Sequence, residues 1–179
     1  MKFTETEIAG CFLIELEPRE DERGFFSRLY CEDEFRAHGI DPTIVQINTA
    51  MTRKAGTLRG MHFQTAPHAD TKLLRCLKGA IYDVCVDLRP DSPTYCSWVS
   101  AELTAANRHM LFLPAGTAHG YQTLTDDAEI MYTTNVKYAP DCATGVRYND
   151  ASFGVQWPLD ISEISAADLE WPDYCKQSG

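Results

Sequence analysis

The feature that most constrains the fold is a succession of short runs rich in β-branched and aromatic residues. Proline, glycine and aspartate separate these runs, as in residues 88–93, 113–120 and 124–129, and such stretches are typical of turns. About ten short strands at this spacing predict an antiparallel sandwich or barrel. The runs are residues 11–16, 24–30, 43–50, 57–64, 71–77, 80–88, 97–103, 109–114, 119–124 and 129–136.

Helical patterning is weak by comparison. Residues 31–39 and 164–171 are the two stretches that favour a short helix. We therefore predict an all-β fold with a double-sheet jelly-roll (double-stranded β-helix) architecture and short flanking helices. No repeat, low-complexity tract or linker-like stretch interrupts the chain, and 179 residues suffice for a sizeable core. Residues 1–179 are accordingly expected to form one domain.

Composition and charge narrow the kind of ligand. Hydrophobic residues make up 44% and charged residues 23% of the chain, which is ordinary for a globular protein. The net charge of −10 argues against a nucleic-acid groove. An anionic small ligand is compatible with this charge if basic residues gather in one cleft, because the local field matters more than net charge.

Cysteine usage and the N-terminal sequence bear on the compartment. The seven cysteines are scattered and form no CxxC pair, which favours reduced thiols over a disulfide framework or a zinc site. The first ten residues have no signal-peptide or transit-peptide character. No apolar run approaches the roughly 20 residues that span a bilayer. We expect a cytoplasmic protein without a membrane segment.

The run at 80–88 contains an aspartate in the middle of a predicted strand. Alternation places Asp83, Cys85 and Asp87 on one face and Tyr82 and Val84 on the other. A purely structural strand rarely carries aspartate at its centre, so Asp83 is either a functional residue or a solvent-facing one.

His62 and His119 each lie within a predicted strand or at its start, beside glycine and other polar residues. Residues 114–119, PAGTAH, match the PxGxxH half of the cupin metal pattern, but HFQ follows where the other half needs HxH and a glutamate. Two imidazoles without a carboxylate make a poor zinc or iron site. We expect no metal and no other cofactor. The residues alone leave His62 as a catalytic base or as a hydrogen-bonded core imidazole.

Several motifs in one order resemble the dTDP-4-dehydrorhamnose 3,5-epimerase family over about residues 10–172. The resemblance implies a metal-free, cupin-shaped homodimer that epimerises nucleotide-linked 4-keto-6-deoxy sugars in deoxysugar biosynthesis of the rhamnose type. The stretches that carry it are 21–26, 45–48, 56–64, 72–89, 114–121, 132–140 and 145–158.

The resemblance also implies catalytic roles. Inverting a carbon beside a ketone requires a base, a proton donor across the ring and a cation at the developing enolate. His62 matches the family's base, and Asp168 matches the carboxylate that orients it. Tyr132 matches the acid on the opposite face, and Lys72 matches the cation at the enolate. Without the resemblance, the last three fit a helix-cap acid, a half-buried strand tyrosine and a surface lysine.

The substrate-binding residues implied by the resemblance bind the sugar, the diphosphate and the base. Arg59 and His119 line the same pocket as His62, and Arg23 and Phe26 reach the nucleotide across the dimer. The full set is Arg23, Phe26, Arg28, Gln46, Asn48, Arg59, His119 and Tyr138. Guanidinium and ammonium groups suit a diphosphate, and an aromatic ring suits a base.

Three positions depart from the family pattern. Arg28 replaces a glutamate that reaches the thymine edge, Asp70 replaces a common glutamine and Thr133 replaces a lysine. An arginine can only donate hydrogen bonds, whereas a carboxylate accepts from thymine N3–H. We hypothesise that the nucleotide is not dTDP. Asp70 and Thr133 leave open which sugar is accepted and whether one centre or both are inverted.

Strict alternation in residues 57–64 conflicts with a shared pocket. It places Arg59 and His62 on opposite faces of the strand. Gly60 lies between them and permits a bulge or sharp coil. We therefore predict an irregularity near Gly60.

Three alternatives to a 3,5-epimerase remain at this point. One is an epimerase that acts at C3 alone. A second is a sugar-nucleotide binding module that has lost activity, and a third is a metal-dependent cupin oxygenase.

Overall fold

The computed structural model describes residues 1–175 and is built almost entirely from antiparallel strands. Its strands are β1 Lys2–Glu5, β2 Phe12–Glu15, β3 Arg19–Asp21, β4 Gly24–Phe26, β5 Gln46–Thr52, β6 Thr57–Gln64, β7 Lys72–Lys78, β8 Ala80–Asp87, β9 Trp98–Thr104, β10 Met110–Leu113, β11 Thr117–Thr123, β12 Ala128–Thr134, β13 Ala143–Gly145 and β14 Glu163–Ile164. Its helices are α1 Glu32–Ala37 and α2 Ala166–Leu169.

Two sheets pack face to face in a jelly roll. The first sheet has the order β1-β2-β10-β7-β12-β5, and the second has the order β13-β6-β11-β8-β9 with β14 added in parallel to β6. The strands β3 and β4 form a separate hairpin. The predicted all-β jelly roll with short flanking helices is confirmed.

The ten predicted runs all contain a strand, and both predicted helices form. The run at 24–30 is extended only through Phe26. Sequence patterning missed β1, β3, β13 and β14, which have two to four residues each and lie outside the predicted runs. Neither helix in residues 1–175 is long and apolar enough to cross a membrane.

The main core lies between the two sheets. The first sheet supplies residues such as Leu74, Leu111 and Ile130, and the second supplies Ile81 and Leu103. Two further clusters cover the outer faces of the sheets. One packs Phe35 of α1 and Ile40 on the first sheet, and the other packs residues 146–157 on the second. Near the Lys72 end of β7, the side chains between the two sheets are polar and not apolar.

The predicted irregularity at Gly60 is confirmed. Register in the β6–β11 pair shifts so that His62 lies opposite His119 and Arg59 lies opposite Tyr121. Two residues of β6 therefore lie opposite the single Gly120, which is the arrangement of a β-bulge. Met61 packs in the outer cluster, while Arg59 reaches inward to β5. The bulge places Arg59 and His62 on the same inner side.

Two glycines face each other at this bulge with no room for a side chain. A methyl carbon on Gly60 would lie 2.6 Å from Cα of Gly120 and 2.7 Å from the carbonyl oxygen of His119. Gly60 also has a φ of +120°, which is unfavourable for residues with a Cβ.

We expect Gly60→Ala to lower the free energy of unfolding by about 3 kcal/mol or more, because it combines a backbone clash with an unfavourable φ. Gly154→Ala is the matched control. Gly154 also has a positive φ, +64°, but no atom lies within 4 Å of the added methyl. Its cost is expected to be about 1 kcal/mol. Denaturant unfolding measures both, and equal costs would contradict the close approach at the bulge.

Candidate active site

Polar side chains from both sheets face the same space between the sheets, which is called the cavity here. The second sheet supplies Arg59 and His62 from β6 and His119 from β11. The first sheet supplies Lys72 from β7, Tyr132 from β12, and Gln46 and Asn48 from β5. Tyr132 lies directly opposite Asn48 in the β12–β5 ladder, as His62 lies opposite His119 in the β6–β11 ladder. The ladders thus fix which side chains are neighbours.

His62 is paired with a buried carboxylate. Its Nε2 lies 2.6 Å from Oδ1 of Asp168, and the His62 side chain is 49% exposed while that of Asp168 is 7% exposed. The backbone N–H of Gly60 donates to the second carboxylate oxygen at 3.3 Å. An imidazole that is open on one side and carboxylate-bound on the other has the geometry of a general base.

The position of Asp168 is set by α2. The Ser165 hydroxyl caps this helix by accepting a hydrogen bond from the N–H of Asp168 at 3.0 Å. The parallel pairing of β14 with β6 brings the preceding residues, 163 and 164, alongside Thr57 and Leu58. The C-terminal segment is thereby returned to the strand that carries His62.

Electrostatics favour the ionised form of Asp168. Burial opposes ionisation, but the hydrogen bond and charge of His62, with the Gly60 N–H and the Ser165 hydroxyl, outweigh it and lower the pKa of Asp168. The carboxylate therefore holds its charge and can stabilise a protonated His62.

His119 has a carboxylate partner of its own. Its Nε2 lies 2.6 Å from Oδ1 of Asp83, which is fully buried, as is most of His119. Asp83 is thus a buried functional-site candidate, and the solvent-facing alternative is wrong. The other oxygen of Asp83 has no hydrogen-bond partner among the described residues. The mid-strand aspartate was a signal for this pair, but sequence alone did not connect it to His119.

Lys72 lies between two oxygen atoms. Its Nζ is 3.1 Å from Oδ2 of Asp70 and 3.4 Å from the carbonyl oxygen of His62. The side chains of Lys72 and Asp70 are 12% and 6% exposed. Lys72 is therefore directed into the cavity, and the alternative of a surface lysine is wrong.

Tyr132 is partly buried in the cavity wall. Burial raises the pKa of its phenol, and the negative charge of Asp70 raises it further. The phenol consequently keeps its proton at neutral pH, as a proton donor must.

Arg59 and Gln46 are each held in place by a hydrogen bond. Arg59 donates from Nε to the Thr52 hydroxyl at 3.0 Å, which ties β6 to β5 across the sandwich. The Gln46 side chain accepts from the backbone N–H of Tyr138 at 2.5 Å. The Tyr138 side chain is exposed beside the cavity.

Three expected nucleotide-binding residues do not join this cavity within one chain. Arg23 lies at the β3–β4 hairpin and pairs with Asp21 at 2.5 Å. Phe26 is 74% exposed, and Arg28 pairs with Glu34 of α1 at 2.8 Å. Phe26 and Arg28 line a separate groove of about 520 Å³ together with Met1, Glu17, Pro18, Arg19, Ser27 and Glu34.

No group of three or more histidine, cysteine, aspartate or glutamate side chains within residues 1–175 is arranged to hold a metal ion. The Nε2 atoms of His62 and His119 each face a carboxylate instead.

The His62–Asp168 geometry determines the tautomer of the base. Because Asp168 accepts at Nε2, we expect neutral His62 to carry its proton there and to present an unprotonated Nδ1. Nitrogen-15 NMR of histidine-labelled protein, with His62 assigned by its loss in His62→Ala, measures this directly. A neutral His62 protonated at Nδ1 would contradict the assignment.

Comparison with known proteins gives a consistent match over nearly the whole chain. The family model for dTDP-4-dehydrorhamnose 3,5-epimerase matches residues 5–176. The dTDP-4-dehydrorhamnose 3,5-epimerase of Sinorhizobium fredii is 40% identical over 177 residues, covering 98% of this chain and 91% of that protein.

Solved structures agree with the match. The dTDP-4-dehydrorhamnose 3,5-epimerase of Bacillus anthracis, with TDP and PPi bound, is 39% identical and has a TM-score of 0.93, covering 97% of this chain and 99% of that one. ChmJ, a 3'-monoepimerase from Streptomyces bikiniensis in complex with dTDP-quinovose, is 33% identical with a TM-score of 0.86, covering 94% and 85% of the two chains. This chain therefore belongs to the dTDP-4-dehydrorhamnose 3,5-epimerase family.

Proposed function

We propose that the protein epimerises C3, C5 or both in a nucleotide-diphosphate-linked 4-keto-6-deoxyhexose, as a step of deoxysugar biosynthesis. The single observation that carries the proposal is the His62–Asp168 pair, with Nε2 and Oδ1 2.6 Å apart, in a cavity that also holds Lys72 and Tyr132. Family membership and the bound nucleotides of the solved relatives support the same substrate class.

The reaction moves protons and leaves the oxidation state of the sugar unchanged. His62 takes the proton from the carbon beside the C4 ketone, and the C–H electron pair moves to the carbonyl oxygen as an enolate. Asp168 stabilises the imidazolium that forms, as a paired carboxylate does in other acid–base sites. Lys72 stabilises the enolate oxygen by charge and hydrogen bonding.

Inversion requires that the proton return from the other face of the ring. Tyr132 lies on the first sheet and His62 on the second, so the two groups approach a substrate between them from different sides. The enolate collapses as its carbon takes the Tyr132 proton, and solvent restores both residues to their starting states. Every transfer uses a side chain, and no cofactor is required.

We expect His62→Ala and Tyr132→Phe each to lower kcat by about 10²–10⁴-fold, because each removes one proton-transfer group. The measurement is turnover of a panel of 4-keto-6-deoxy sugar nucleotides. His109→Ala is a matched control, since His109 lies outside the cavity and only approaches Glu15 at 3.9 Å. Full activity in either active-site variant would overturn the mechanism.

A C3-only epimerase is a second candidate, because the 3'-monoepimerase ChmJ is similar to this chain over 94% of its length. The two activities differ in the product, whose configuration at C5 is read from proton–proton couplings in its NMR spectrum. Retention at C5 with inversion at C3 would identify the second activity.

The hydrogen-bonding chemistry of Arg28 bears on which nucleotide base the protein prefers. The names of the relatives favour dTDP, whereas a guanidinium in place of a carboxylate favours a base with acceptor atoms, such as cytosine or guanine. In this chain Glu34 engages the guanidinium. We propose that Arg28 weakens the preference for thymine.

Calorimetric titration with dTDP, CDP and GDP tests the role of Arg28. We expect CDP or GDP to bind at least as tightly as dTDP. We expect Arg28→Ala to weaken binding of CDP or GDP relative to binding of dTDP. A clear preference for dTDP would refute the hypothesis and place this chain with its relatives in nucleotide choice.

We also propose a homodimer whose substrate sites are shared between subunits. β5 is an edge strand of the first sheet, and its outward side chains Ile47 and Met51 are 64% and 50% exposed. An exposed apolar edge strand is a favourable surface for pairing with a second chain. Arg23 and Phe26 are remote from the cavity of their own chain, which fits a role in the partner's site.

Complementation tests the shared site. Phe26→Ala and His62→Ala are expected to be nearly inactive alone, since each removes one part of every site. In a mixed dimer one site carries both changes and the other carries neither. Unfolding and refolding an equal mixture should therefore restore about a quarter of the wild-type activity by random assortment. No recovery, or a monomer by ultracentrifugation, would contradict the proposal.

The whole chain is proposed to act as one catalytic domain in the cytoplasm. Support for the domain comes from the core cluster that joins both sheets. Support for the compartment comes from the seven cysteines, all of which are free thiols.

A further inference from the structure

Asp70 is a buried acid beside the cavity for which neither proton transfer nor substrate binding has given a role. It lies in the loop between β6 and β7 and is 7% exposed. Its Oδ1 accepts the backbone N–H of Gln64 at 3.1 Å, and its Oδ2 lies 3.1 Å from Nζ of Lys72. Both oxygens are therefore committed to the strands that carry His62 and Lys72.

The pair is poorly explained as a stabilising salt bridge. Removing two charges from water is unfavourable, and the mutual attraction of the charges often no more than offsets that penalty. The other Lys–Asp pair of β7 is different, because Lys78 and Asp127 are 3.7 Å apart with both side chains more than half exposed. A buried acid at the Lys72 end of β7 therefore calls for a functional explanation.

The position of the Lys72 ammonium is one consequence of Asp70. The ammonium is held between Oδ2 of Asp70 and the carbonyl oxygen of His62, 3.4 Å away. A flexible four-carbon stem would otherwise have many rotamers, and ordering it before substrate arrives removes that entropic penalty from the reaction.

The charge of Asp70 has a second consequence, at Tyr132. Lys72 lies on the same face of β7 as Leu74, which is opposite Tyr132 in the β7–β12 ladder, so a lone ammonium there would favour the phenolate. Burial and then the negative charge of Asp70 raise the pKa of Tyr132, so the Asp70 carboxylate acts against the effect of the ammonium.

We propose that Asp70 is a positioning residue of the same site: it holds the Lys72 ammonium against the His62 carbonyl and offsets the charge of that ammonium at the Tyr132 phenol. The effect of Asp70 on turnover rests on the proposed epimerase function. Asp70 is assigned no proton transfer in the proposed reaction.

The charged and titratable groups around Tyr132 come from β7 and its preceding loop, from β6 and from β11. β7 and the preceding loop present Lys72 and Asp70, while β5 presents the uncharged Gln46 and Asn48. From the second sheet, β6 presents Arg59 and His62 and β11 presents His119 and Tyr121. Of these groups, only Lys72 and Asp70 are changed in the charge cycle.

The test is a charge cycle read by NMR. Tyrosine labelled with carbon-13 at Cζ is titrated in the whole protein, with Tyr132 assigned by its loss in Tyr132→Phe. Asp70→Asn keeps an acceptor for the Gln64 N–H and removes the charge. We expect the Tyr132 titration midpoint to fall by about one pH unit in Asp70→Asn, to rise in Lys72→Met and to return near the wild-type value in the double variant.

The matched control is Asp127→Asn, which removes an acid from the exposed pair at the other end of β7 and should leave the midpoint unchanged. An unchanged or raised midpoint in Asp70→Asn would overturn the inference. If Asp70→Asn does not fold, Lys72→Met alone decides it, because an unchanged or lowered midpoint there contradicts the offsetting charges.

Kinetics link the charge pair to catalysis. The alkaline limb of kcat in Asp70→Asn should move to lower pH by the same amount as the NMR midpoint, with KM for substrate changed less than twofold. A limb that stays in place would remove Asp70 from the catalytic account. The NMR cycle needs no substrate, so absence of turnover by the wild-type protein would refute the proposed function without deciding the charge cycle.

Discussion

The close approach of two backbones at Gly60 and Gly120 underlies the arrangement of the candidate active site. A regular β6 would direct Arg59 and His62 to opposite faces, because side chains alternate along a strand. The bulge resets the alternation after Gly60, so that Met61 packs outside while Arg59 and His62 both face the interior. Gly60 also donates its N–H to Asp168. One local irregularity thus orients the proposed base and anchors the carboxylate that holds it.

Around this irregularity, three nitrogen-bearing side chains of the site each face a carboxylate. His62 faces Asp168, His119 faces Asp83 and Lys72 faces Asp70, at 2.6, 2.6 and 3.1 Å. In a chain with a net charge of −10, such pairing compensates the Lys72 ammonium, and any imidazolium that forms, in a buried site. The imidazole, ammonium and guanidinium groups that this site brings together suit an anionic nucleotide sugar.

Much of the fold followed from sequence because its cause is local. Alternating apolar residues and turn-forming residues define each long strand, and Gly60 indicated the bulge once the family resemblance had placed Arg59 and His62 in one pocket. The site was less accessible. Asp83 stood out as an acid within a strand, but its pairing with His119 depends on the β8–β11 register. Asp70 precedes Lys72 by two residues, yet their contact requires the loop before β7 to be buried, which composition does not reveal. Asp168 was identified only through family resemblance, since 106 positions separate it from His62.

In the proposed reaction His62 removes a proton from a carbon beside the ketone, and Tyr132 delivers a proton to that carbon from the other face. Uptake of solvent deuterium into the sugar tests this most directly. Incubating a 4-keto-6-deoxy sugar nucleotide in deuterated water and following C3 and C5 by NMR should show one deuterium at each inverted carbon. The label should be lost in His62→Ala and retained in His109→Ala. Inversion of either carbon without deuterium uptake would contradict the account.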